Sequence, residues 1–171
     1  PVPGLNVDID HNRGEIKGNT NLFHSFGQFN VGEGGSARFT GPPSILNVIS
    51  RVTGGQSSIN GQIDTRTFMP NASFFLLNPA GIMLGSGASF NVAGAFHLST
   101  ADYLCLGSGG CLLDPTAGKF FARTGQGDVL TVAPPAAFGF LGPPTGSIMV
   151  NGSVLFGDPS VPQTMSLIGG Q

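Results

Sequence analysis

Residues 45–64, ILNVISRVTGGQSSINGQID, and 72–104, ASFFLLNPAGIMLGSGASFNVAGAFHLSTADYL, decide the fold of this 171-residue chain. Short β-branched and aromatic runs alternate with Gly, Asn-Pro and Asn-Gly, residues that end a strand and turn the backbone. The window 44–52 has helical apolar spacing, but Val48, Ile49 and Val52 are stiff at χ1 and favour a strand. The runs at 26–31, 37–39, 73–77, 82–84 and 129–132 are too short and too Gly-broken for helices. Alternation at Phe29/Val31 and at Ala37/Phe39 turns one face inward and the other outward.

A weak internal repeat points to the architecture. The pattern apolar-x-Gly-x-apolar occurs at Ile59-Asn60-Gly61-Gln62-Ile63, Val92-Ala93-Gly94-Ala95-Phe96 and Val150-Asn151-Gly152-Ser153-Val154. Each copy reads as a strand with Gly at a bend or a close backbone approach. Stacked coils of roughly 20 residues supply such copies by construction, which predicts an all-β solenoid. Residues 105–147 differ. Pro134-Pro135 and Pro143-Pro144 cannot sit in central strands, so this is a loop-rich excursion, with Phe120, Phe121, Phe138 and Phe140 expected to pin it down. The expected division of one domain over 1–171 is a cap at 1–24, coils at 25–104, the excursion at 105–147 and coils again at 148–171. Asp8, Asp10, Arg13, Glu15 and Lys17 put charge on the cap, which discourages edge-to-edge pairing. The closing MSLIGGQ reads as strand plus turn, so the coils are expected to run on.

Composition narrows the function. Charged residues make up 9% of the chain, against roughly 25% in an ordinary domain. Hydrophobic residues reach 40% and Phe numbers 14, enough to build a core despite 28 Gly and 13 Pro. The net charge of -2 and the scattered Lys and Arg give no footprint for nucleic acid. No run approaches the ~20 apolar residues of a membrane helix. The first residue is Pro1 with no basic-then-apolar leader after it, which leaves a removed signal peptide or an excised segment as readings.

Catalytic patterns are scarce. Parallel β-helices include polysaccharide-cleaving enzymes, whose carboxylates converge on one cleft. Here only Asp8 and Asp10 lie close in sequence. Asp8-Ile9-Asp10-His11-Asn12 resembles the start of a calcium loop, but Arg13 and Asn19 stand where the loop needs Gly and Glu. His24 reads as a packed structural histidine. No serine elbow or phosphate loop is present, so the expectation is a non-enzyme without cofactor, metal or small-molecule substrate. Cys105 and Cys111 flank LGSGG. A disulfide across that loop is sterically feasible, and two free thiols are the alternative. Asn78-Pro79-Ala80-Gly81-Ile82 reads as a type I or II turn, since Pro fixes φ and the Asn side chain accepts from a turn amide. It is a solenoid corner or a recognition turn.

The segments NLFHSFGQFNV (21–31), 45–63 and 75–104, followed by AAFGFLG, GSIMVNGSVLF and TMSLIGG, together resemble one family. It is the secretion domain of filamentous-haemagglutinin-type exoproteins, the TPS domain of two-partner secretion, also called the haemagglutination activity domain. The resemblance implies a right-handed parallel β-helix with an N-terminal cap and a β-hairpin or small-sheet excursion. It implies export through the periplasm after removal of a signal peptide, to the surface or the medium. The implied partner is the set of POTRA domains of an outer-membrane β-barrel transporter, with the exoprotein expected to be a monomer. Residues 78–82 match the family's Asn-Pro-Asn-Gly-Ile signature, with Ala80 replacing its second Asn. Gly41-Pro42-Pro43-Ser44 stand near the place of its Asn-Pro-Asn-Leu signature. Asn21, Phe23, Phe26, Phe29, Asn47, Arg51, Val52 and Gly61 are further motif positions. A direct adhesin module is the second reading and a carbohydrate-active β-helix enzyme the third.

Overall fold

The computed structural model describes residues 4–107, 111, 114, 117–143, 146–152, 155–156 (backbone only) and 164–169. Among these there is no α-helix, only a single 3-10 turn at His11–Arg13. Strands stack in parallel into a β-solenoid of about four turns. Each coil contributes one strand to each of three faces. The first face runs β3 (Asn21–Phe26), β5 (Asn47–Val52), β8 (Ser73–Leu77), β11 (Phe96–Ser99) and β17 (Met165–Ile168). The second begins at Val31 and continues through β6 (Ser57–Ile59), β9 (Ile82–Leu84) and β15 (Ile148–Val150). The third runs β1 (Asn6–Asp10), β4 (Ser36–Thr40), β7 (Gln62–Asp64), β10 (Ser89–Asn91) and β16 (Leu155–Phe156). Equivalent residues on the first face are 26 apart at Asn21/Asn47 and 69 apart at Ser99/Ile168. The longer step holds the excursion.

Register explains which side chains make the core. On the first face Leu22, Val48, Phe74 and Phe96 align strand to strand. All four are fully buried inside the coil. Phe74 and Phe96 stack with their centroids 6.2 Å apart, and Phe39 reaches Phe74 from the third face at 5.3 Å. Burying each such ring stabilises by roughly 1.5–3 kcal/mol.

Phe23, Ile49, Phe75 and Leu77 point the other way and are buried as well. They are covered by an antiparallel sheet of β12 (Tyr103–Leu106), flanked by β13 (Gly118–Phe121) and β14 (Pro135–Gly139). Leu104, Leu106 and Phe120 complete this second core. Strand β8, SFFLL, is therefore sandwiched on both faces, which is why its sequence is continuously apolar instead of alternating. Of the four rings expected to pin the excursion, Phe120 and Phe138 do so. Phe121 lies with Tyr103 and the cysteines on the outer face, and Phe140 is 36% exposed. The difference follows from strand alternation, which sends neighbouring side chains to opposite sides. Pro144 and residues 108–110 lie outside the described residues.

The glycine repeat marks corners rather than mid-strand positions. Gly61 joins β6 to β7, and a Cβ there would collide with the carbonyl oxygens of Gly32 and Gly35 in the coil below. The 150–154 copy starts at the same corner two coils on, with Val154 outside the described residues, whereas 92–96 turns from the third face to the first.

At the cap end, β1 pairs in parallel with β4 and β2 (Glu15–Lys17) antiparallel with β3. Asp8 accepts two bonds from the Arg38 guanidinium at 2.8 and 2.9 Å, an exposed pair of small energetic weight. Asp10 accepts from the Asn12 amide at 2.8 Å, and this bond lowers its pKa. Both acids of the calcium-like stretch thus serve the cap.

His24 packs against Phe26 and Phe39 with its Nε2 unpartnered. Burial pushes its pKa down to about 4, with His11 adding to the effect and Asp10 opposing it. The unfolded chain holds that proton near pH 6.5, so the folded state loses stability as pH falls from about 6.5 to about 4. The expected loss is about 3 kcal/mol. Thermal melts across that range should show a falling midpoint in the wild type, and His24→Phe should flatten the curve.

Candidate functional site

Strand β8 ends at Leu77, and the next five residues make the corner to the second face. Asn78 is fully buried. Its Nδ2 donates to the Gly55 carbonyl at 3.1 Å and to Ser57 Oγ at 3.0 Å, both in the preceding coil. Its Oδ1 accepts from the Ala80 amide at 3.0 Å, and the Gly81 amide donates to the Asn78 carbonyl at 3.0 Å. The Asn78 amide donates in turn to Ser99 of the next coil at 2.8 Å. This one residue shapes its own turn and joins three coils. Gly81 has φ +113, a conformation that side chains other than hydrogen rarely adopt. Pro79, Gly81 and Ile82 are buried, and Ala80 is the exposed member of the five. The departure from the family signature thus falls at the position facing solvent.

The other motif positions hold coils and excursion together. Asn47 Nδ2 donates to Asn21 Oδ1 at 2.8 Å, and Asn21 Nδ2 donates to the carbonyls of Thr131 at 3.0 Å and Ala133 at 2.8 Å. Phe23 meets Phe120 at 5.3 Å. Phe26 and Phe29 pack together at 5.1 Å near the open mouth of the first coil, and Val52 is buried in the core.

Arg51 does the most. Its Nε donates to Ser25 Oγ at 2.9 Å, and its Nη1 donates to the Phe121 carbonyl at 2.9 Å and Asp128 Oδ2 at 2.7 Å. The guanidinium also lies 4.8 Å from the Phe120 ring centroid. Asp128 Oδ1 closes the loop by accepting from the Phe121 amide at 2.9 Å. Cys105 and Cys111 are disulfide-bonded, with Cα atoms 5.7 Å apart, on the excursion's outer face. Sequence reasoning missed Asp128 and Phe120 as partners of Arg51, because nothing local signals a contact across 77 residues.

Several carboxylates are engaged in structure. Asp64 accepts from Thr67 and Asn91, and Asp102 Oδ2 from the Leu141 amide at 2.8 Å. Among the described residues no group of three His, Cys, Asp or Glu is placed to hold a metal ion. No described helix is long and apolar enough to cross a membrane.

A capped parallel β-solenoid with an antiparallel sheet packed on one face is thus the class of protein at hand. The family model of the TPS secretion domain matches residues 5–171, and the chain belongs to that family. It is a secretion domain of a two-partner secretion exoprotein, exported with a transporter as partner. No curated protein and no solved structure matches it.

Proposed function

We propose that this domain is the N-terminal address of a large exoprotein, read in the periplasm by the POTRA domains of its outer-membrane transporter. Signal-peptide removal precedes that step. Before the coils stack, their strands offer unpaired edges, and POTRA sheets bind them by β-augmentation. The low charge of the chain suits such backbone-led pairing. Outside the cell the domain folds and templates the coils that follow. The Asn78 turn acts in that folding as the corner that sets one coil on the next.

The observation that carries the template reading is the last coil. Met165 and Leu167 align with the core residues Phe96 and Leu98 yet are 41% and 38% exposed. Val150 aligns with buried Leu84 and is 44% exposed. In a solenoid, side chains in this register are the ones a neighbouring coil covers. The address is tested by co-purifying the domain with the transporter's periplasmic region. Capture is expected with the wild type and lost when Asn78 and Pro79 are both replaced by Ala. Unaltered capture and unaltered secretion of that variant would remove the turn from the mechanism.

A further inference from the structure

The two cysteines of these 171 residues are bonded to each other, and the fold closes over both. Cys105 lies in β12, the central strand of the excursion, opposite Lys119 of β13 and Ala137 of β14. It is 6% exposed, and Cys111 is 1% exposed. Both pack with Tyr103, Ala117 and Phe121, the two rings lying 5.8 Å apart.

Making a disulfide needs more room than the finished bond. One cysteine thiolate attacks the disulfide of an oxidant, joins one of its sulfurs and expels the other as a thiolate. The second cysteine then attacks that mixed disulfide, closes the protein bond and releases the oxidant as a dithiol. Two electrons pass to the oxidant, and the two thiol protons leave the cysteine pair. A protein oxidant must reach a cysteine sulfur for the first step, and the folded domain presents neither. In the unfolded chain the pair is separated by six positions, across Leu106-Gly107-Ser108-Gly109-Gly110. So short a loop costs little to close, and its glycines remove the steric obstacles.

We propose that a dithiol-disulfide oxidoreductase of the periplasm closes this bond on the unfolded chain, which then crosses the outer membrane with the loop already made. The order rests on the periplasmic passage proposed above. Outside, the closed loop fixes the first part of the connection from β12 to β13. Leu104, Leu106 and Phe120 of those strands cover the second core.

Two measurements test the order. First, the full exoprotein is held in the periplasm of cells without the transporter, quenched in acid, alkylated with N-ethylmaleimide and digested with trypsin. Fragment 67–119 carries both cysteines. It is expected without maleimide from these cells, and with two maleimides when the oxidoreductase is deleted as well. Free thiols in the retained chain beside a closed bond in the exported protein would overturn the proposal. So would a bond that closes as fully without the oxidoreductase. Second, the purified domain is reduced, returned to native buffer and mixed with oxidised glutathione. Closure should be at least about tenfold slower there than in urea, because it waits on local opening. A reduced domain that does not fold supports the same order, since closure must then come first. Equal rates in a reduced domain that still melts cooperatively overturn it. Neither rate involves the transporter, so a failed export address and a failed order of oxidation remain distinguishable.

Discussion

Asn78→Ala is expected to destabilise the domain by about 3 kcal/mol, because it strands buried partners that the side chain now satisfies. The Gly55 carbonyl and Ser57 Oγ lose their donor and the Ala80 amide loses its acceptor. In a domain of this size that corresponds to a fall in melting temperature of roughly 6–12 °C. Asn78→Asp should cost at least as much despite equal size, since a carboxylate there would face the Gly55 carbonyl instead of donating to it. Ala80→Asn, which restores the family signature at an exposed position, should stay within about 0.5 kcal/mol of the wild type. Circular-dichroism melts of the three variants check the ordering. If Ala80→Asn were the damaging change and Asn78→Ala harmless, the turn would act through its exposed surface and not through its buried bonds.

Phe120→Ala is expected to cost about 3–5 kcal/mol and to loosen the excursion before the coils. The ring is almost fully buried, touches Phe23 and lies under the Arg51 guanidinium. Its removal opens the second core over Phe23, Ile49, Phe75 and Leu77 while leaving the inner Phe74 and Phe96 stack intact. Hydrogen exchange should show the difference directly. Amides of β12 and β13 lose protection first, while those of β7 and β10 keep it. Uniform loss across all four strands would mean that solenoid and excursion unfold as one unit.

Strand positions and the solenoid class were legible because β-branched runs and Gly corners are local signals. The inward face was legible at Phe29/Val31 and Ala37/Phe39, where alternation marks the residues that the structure buries in the inner core. The outer core was not. Phe23, Ile49, Phe75 and Leu77 read simply as extra apolar residues, since their cover arrives from residues 103–139, far along the chain. The Arg51 clamp was hidden for the same reason.

Asn-Pro marks a turn at Asn78 from sequence alone, but no local signal marks the burial of its side chain. Polar turn residues ordinarily sit at the surface. In a solenoid the coils above and below provide the hydrogen-bond partners, and the asparagine goes inside. The repeat pattern sets its glycines within strands, whereas the close approach of stacked corners puts them between strands.

The central claim is that these 171 residues carry the export address of their protein. It is tested most directly by deleting residues 1–171 from the full exoprotein behind an intact signal peptide, in cells that carry the partner transporter. The account predicts that the remaining protein stays in the periplasm and is absent from the surface and the medium. Wild-type levels outside the cell would contradict it.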